Sequence, residues 1–137
     1  MALKKTKSIS HGGKRVSEIL EAHERFFSGK EHGIRADLTG ADLGGADLSG
    51  ANFEEAQASG VEFFRCDLSN TNFRRALLRN ANFRLANVNG ATFSGADMGV
   101  TILRETDLTG ADLSGVDLST TLMPRNYTPR KAEGKSA

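Results

Sequence analysis

Carboxylates recur every five residues at Asp37, Asp42 and Asp47, and the same position returns further along as Asp67, Asp97, Asp107, Asp112 and Asp117. Side chains of this type could work as a general acid and base, or hold a calcium ion. The Gly-Gly-x-Gly-x-Asp spacing of calcium-binding rolls is absent, however. His11 and His32 have no acidic or cysteine companions at metal spacing, so no metal is expected. Cys66 is the lone cysteine, which excludes an intramolecular disulfide and a multi-cysteine zinc site and suits a reducing cytoplasm. No nucleophile motif, phosphate loop or cofactor signature accompanies these residues.

What positions the carboxylates is a repeat. From Ala36 to Thr120 the chain runs through seventeen units of five residues, beginning "ADLTG ADLGG ADLSG ANFEE", and a degenerate unit, Thr121–Arg125, follows. The centre of each unit is apolar: Leu38, Leu43, Leu48, Phe53 and so on to Leu118. Two residues earlier stands a small residue such as Ala36, Ala41, Cys66 or Thr71. Residues two apart in extended chain share a side, so both point inward and the intervening Asp or Asn points out. The last position is Gly in eight units and Asn in two, residues that turn through left-handed backbone at least cost. Each unit is thus a short extended piece and a corner. A helix would need spacings of three and four.

Four corners close a square, so one coil takes twenty residues. Phe53, Phe73 and Phe93 lie twenty apart, as do Phe63 and Phe83, which predicts two stacked ladders on opposite faces. With coils stacked at about 4.8 Å, the units make about four coils and a rod roughly 20 Å long. The expected fold is an all-β solenoid, a quadrilateral parallel β-helix. Successive carboxylates then leave different sides of a convex rod and cannot converge on one substrate atom. They read as solvated spacers that discourage edge pairing, and the chain reads as a non-enzyme with no catalytic residue and no cofactor. Cys66, at an inward small position, reads as core.

The repeat resembles the pentapeptide-repeat family, whose pattern is A-(D/N)-(L/F)-x-x. The resemblance covers about two-thirds of the chain and implies a right-handed β-helix. It also implies end-to-end homodimers through the C-terminal coil, which places Leu122, Met123 and Tyr127 at an end contact, although the helix that often assists is missing here. Some members mimic DNA and protect type II topoisomerases such as gyrase from inhibitors. That is the alternative function for this chain, although its coils are few and arginines interrupt its acidic surface.

The ends differ from the body. Residues 1–15 carry five Lys/Arg and no acid, and read as a basic disordered tail without the apolar run of a signal peptide. Residues 16–35 are expected to form a capping helix, Val16–Ser28, and its lead-in. The apolar stripe of Val16, Ile19, Leu20, His23, Phe26 and Phe27 would pack over the first coil, with His23 as a packing residue. The β-helix is assigned to 36–125 and a basic C-terminal tail to 126–137, where Pro124 and Pro129 oppose a helix. Nothing approaches the length of a membrane span.

Function on such a scaffold should sit where outward positions break the pattern. The face built on Leu48, Leu68, Val88 and Leu108 is uniformly polar outside. The face built on Leu43, Phe63, Phe83 and Leu103 instead carries Phe64, Arg65, Arg84, Leu85, Ile102 and Arg104, with Leu77 and Val100 near the adjoining corner. Exposed aromatic and aliphatic residues mixed with Arg suit a protein–protein contact. The expected function is therefore an interaction module that docks on a protein partner, in the cytoplasm. Arg65, Arg74, Arg75, Arg79 and Arg84 belt the middle of the rod, but the basic tails offer no stacking aromatic except Tyr127, so nucleic acid is not the expected partner.

Overall fold

The corners are made by the backbone. Leu38 O accepts the Ala41 N–H at 2.8 Å across Thr39 and Gly40, with Gly40 at φ 72°, a type II turn. The computed structural model describes residues 3–125 and Tyr127, and in it this turn recurs along the repeat. Every closing residue from 40 to 115 has positive φ, including Glu55, Arg65, Arg75, Leu85, Val100 and Glu105 as well as the glycines and asparagines. The demand for a left-handed corner is thus stronger than the choice of residue that fills it.

Between corners the chain is extended for too few residues to make long strands. Parallel bridges join residues twenty apart, such as Asp37 to Gln57, Gln57 to Leu77 and Leu77 to Asp97. Each side pairs by alternating bonds: the Gln57 amide donates to Ala36 O at 3.0 Å, and the Leu38 amide to Gln57 O at 2.7 Å. Inside, Phe53, Phe73 and Phe93 stack with centroids 4.8 and 5.1 Å apart, and Phe63 stacks on Phe83 at 4.8 Å. The two ladders meet edge to face, as between Phe63 and Phe73 at 5.7 Å. All five rings are fully buried. Inward polar residues find carbonyls: the Thr101, Thr106 and Thr121 hydroxyls each donate at 2.8 Å, to Leu78, Phe83 and Met98.

The basic tail expected over residues 1–15 is corrected by the structure from residue 3 onward. Lys4 adds to the edge of the first coil, donating to Gly45 O at 2.9 Å and accepting the Asp47 amide at 2.8 Å. A 3-10 turn, Thr6–Ser8, leads to a hairpin of β1, Ser10–His11, and β2, Lys14–Arg15. Gly12 and Gly13, at φ 60° and 80°, supply the two left-handed residues that a tight hairpin needs. Pairing an open coil edge satisfies backbone groups that a lysine-rich composition conceals.

Helix α1, Val16–Ser28, follows directly. Glu18 accepts the Arg15 amide at 3.2 Å, the one half of a capping box that an N-cap arginine allows, and Gly29 at φ 67° ends the helix. Val16 and His23 are fully buried, with Ile19 and Leu20 packed against the core. Phe26 and Phe27 depart from the expected stripe: they are exposed, edge to face with each other at 5.2 Å. The C-terminal tail assigned to 126–137 lies outside the described residues except for Tyr127, which packs partly buried against the core with Met123.

Candidate functional site

Three outward ladders make up the face singled out by its broken pattern. In one, Asn82 pairs with Ile102 and Ile102 with Leu122 by parallel bridges, so two aliphatic residues follow a polar one. The twenty-residue register sets Phe64, Arg84, Arg104 and Pro124 beside it, and Arg65, Leu85, Glu105 and Arg125 along the next corner.

The residues of this face are not equally available. Phe64 is half-buried because the Arg65 and Arg84 guanidinium groups lie over its ring, 5.2 and 5.8 Å from the centroid. Arg84 is held as well by Glu105, Nε to Oε1 at 2.7 Å. Leu85 and Ile102 are half-buried, whereas Val100 and Leu122 are exposed by 44% and 40%. Val100 turns the corner that leads into Ile102, and its amide donates to Thr120 Oγ1 at 3.2 Å. The apolar surface therefore gathers at the C-terminal end as Val100, Ile102 and Leu122. Arg104 borders it in a shallow cleft shared with Glu105, Pro124 and Arg125. Leu77 stands apart, exposed between Gln57 and Asp97 on a neighbouring side. Met123 and Tyr127 lie against the last coil, with the Tyr127 hydroxyl buried and unpartnered among the described residues.

Sequence reasoning missed what Val100 does to the backbone. At φ 56° a β-branched residue occupies left-handed space that such side chains rarely adopt, at a cost of roughly 1–3 kcal/mol. The signal was present in the repeat: Val100 is a β-branched residue at a corner where ten of the seventeen units carry Gly or Asn.

The arginine belt is largely spent on neighbours. Arg75 pairs with Glu54 and, at 3.3 Å, with Glu55, while Arg79 reaches Asp97 at 3.2 Å. The outward carboxylates have a local task as well. Asp47 Oδ1 accepts the Ser49 amide at 3.2 Å and its hydroxyl at 2.7 Å; Asp37 does the same with Thr39, and Asp67 with Ser69. These Asx turns start the corners that follow an Asp or Asn and account for those residues at that position better than solvation does. The Ser and Thr hydroxyls that face them hold the carboxyls of Asp37, Asp47, Asp107 and Asp112 below the usual range. Among the described residues no cluster of His, Cys, Asp and Glu could hold a metal ion. Cys66 is buried, its thiol donating to Leu43 O at 2.9 Å, and burial pushes its pKa up to about 11, far from a reactive thiolate. No helix among the described residues is long and apolar enough to cross a membrane.

Comparison with known proteins places this geometry among others. A family model described as "Pentapeptide repeat region" matches residues 36–113. A pentapeptide repeat protein from the thylakoid lumen of Arabidopsis thaliana is 28% identical with a TM-score of 0.59, over 70% of this chain and 63% of that one. One from the cyanobacterium Cyanothece 51142 is 31% identical with a TM-score of 0.63, over 65% of this chain and 61% of that one. This chain thus spans less than two thirds of either. A third, from Nostoc PCC 7120, shares the fold over 93% of both chains with a TM-score of 0.66 at 23% identity. No curated protein gives a significant match.

Proposed function

The chain belongs to the pentapeptide-repeat family, whose members form right-handed quadrilateral β-helices, and from that premise we propose that it is a non-enzymatic docking rod. It presents Val100, Ile102 and Leu122, bordered by Arg84 and Arg104, to a protein partner in the cytoplasm. One observation carries this reading. Val100 holds an exposed aliphatic side chain on a corner at φ 56°, where Gly would relieve the strain. A costly residue kept on the surface next to Ile102 and Leu122 has no structural return, and unrelieved strain of this kind concentrates at functional positions. Phe64 and Leu85 extend the surface, and a partner that displaced Arg65 or Arg84 would find an aromatic ring beneath. The end of the rod, through Leu122, Met123 and Tyr127, would also accept a second copy of the chain.

Affinity capture from the source cell tests this with wild type beside two variants, Phe64→Ser/Leu85→Ser/Ile102→Ser and Val100→Ser/Leu122→Ser. A protein retained by wild type and lost by both variants supports the docking face. Equal retention of the same proteins by all three would overturn it, and capture of a type II topoisomerase in that pattern would favour the DNA-mimic reading instead. Salt-sensitive retention of DNA would point to the arginines. Sedimentation of wild type against Leu122→Asp decides whether the end contact joins two copies.

A further inference from the structure

Hairpin β1–β2, helix α1, the lead-in and the start of the first coil line an open cleft of about 590 Å³. We propose that this cleft binds a small amphiphilic anion, a phosphate or carboxylate group attached to a short apolar body. Its volume lies within the roughly 300–1,000 Å³ range of small-molecule sites. Cations reach it from three different elements: Lys14 from β2, Arg25 from α1 and Arg35 from the lead-in. Among the described residues none of the three is in an ion pair.

The two carboxylates of the lining do not neutralise these cations by contact. Glu18 Oε1 accepts the Arg15 amide, and Asp37 Oδ1 takes the Thr39 amide at 3.1 Å and its hydroxyl at 2.7 Å, so one oxygen of each is engaged locally; Arg35 acts on Asp37 through space without pairing with it. Arg35 is anchored through Nε to Glu55 O at 2.5 Å, which fixes its guanidinium on the first coil. Arg25 Nε is the unsatisfied group: it is buried and has no hydrogen-bond partner among the described residues. A buried guanidinium N–H without an acceptor is costly and leaves the Arg25 charge uncompensated there, and an anion in the cleft beside this side chain would compensate that charge electrostatically.

The rest of the lining specifies the other half of the ligand. Ile19, Ala22 and Ile34 give the cleft an apolar wall, and Ile34 is 57% exposed, the most exposed large apolar residue among those described. Its amide is tied to Ala22 O at 3.0 Å, so the side chain is held beside α1 where an apolar ligand body would cover it. A bare phosphate would leave that wall in water.

Titration calorimetry of the full chain with phenyl phosphate, beside inorganic phosphate, tests the site. Phenyl phosphate should bind with a Kd of roughly millimolar or tighter, and inorganic phosphate about tenfold more weakly. Arg25→Gln and Lys14→Gln should each weaken phenyl phosphate about tenfold. Arg74→Gln, the same charge change out on the coils, should leave it unchanged. The Arg25 Nε–H resonance should shift on binding in wild type. Lys14, whose side chain has no described partner, keeps the test valid if Arg25→Gln loosens α1. Absence of binding, equal binding of inorganic phosphate, or equal weakening by Arg74→Gln would each overturn the proposal.

Discussion

The imidazole of His23 donates through Nε2 to the backbone oxygen of Glu54 at 2.8 Å, thirty-one residues further on. The tautomer follows from the other ring nitrogen, since Nδ1 accepts the Ala36 amide at 2.9 Å and so carries no proton. One neutral ring therefore ties α1 both to the first unit of the repeat and to the fourth, which closes the first coil.

This bond makes the docking of α1 sensitive to acid. Burial, the largest cause, lowers the His23 pKa below 6.5; Arg35 lowers it too, against the Glu54 carbonyl and the Glu54 and Glu55 carboxylates, which raise it. A folded-state pKa below the unfolded one means that the unfolded chain takes up the proton more readily. The stabilisation is complete above pH 6.5 and is lost as pH falls below it, before the lowered carboxylates such as Asp37 and Asp47 begin to titrate. The hydrogen-exchange protection factors of the α1 amides, corrected for the intrinsic pH dependence of exchange, should fall between pH 7.5 and 5 while that of the Phe73 amide is kept. Equal protection of α1 at both values would contradict the assignment.

Phe73 should be the most costly of the ring positions to truncate. It has a stacked ring on each side, Phe53 at 4.8 Å and Phe93 at 5.1 Å, and edge contacts to Phe63 and Phe83. Phe73→Ala should destabilise by about 4 kcal/mol through lost burial and the cavity left behind. Phe93→Ala, with one stacked neighbour, should cost less. Urea unfolding monitored by circular dichroism measures both.

The lead-in depends on a missing side chain. A Cβ on Gly33 would stand 2.5 Å from the Phe26 amide nitrogen and 2.6 Å from its Cα, and helix backbone cannot give way as a flexible side chain can. Gly33→Ala should push the lead-in from α1, break the Ile34 bond to Ala22 and cost roughly 1–3 kcal/mol, as overpacking does. Its mark is selective: exchange rises in α1 and at Ile34, whereas the Phe63 and Phe83 amides keep wild-type protection.

The coil was legible because its register is written in large residues. Phe53, Phe73 and Phe93 recur at the spacing that brings each above the last, so one period in the sequence gives both the stacking and the inward face. The Asp position was legible as outward, but its Asx turn was not, since that depends on a bond to the amide two residues on. Phe64 looked exposed because its exposure depends on Arg65 and Arg84, the second of which is twenty residues away and reaches it through a flexible side chain. The N-terminal hairpin was hidden by its lysines, although Gly12-Gly13 between His11 and Lys14 is a hairpin signal in its own right. Charge composition describes solvation, and a short segment pairing a coil edge can be well solvated and still ordered.

Val100 allows stability and docking to be separated. Replacing it with Gly relieves left-handed strain of roughly 1–3 kcal/mol, while the added freedom of the unfolded chain gives back about 0.5–1 kcal/mol. Val100→Gly should therefore raise stability by about 1 kcal/mol in urea unfolding. Gly95→Val, which places the same strain at φ 72° on another corner and brings a Cβ within 3.2 Å of the Arg75 side chain, should lower it by at least as much. If the surface around Ile102 and Leu122 is where a partner docks, the more stable Val100→Gly chain should hold that partner less well. A stabilised variant that keeps full partner retention would leave the Val100 side chain without a part in docking.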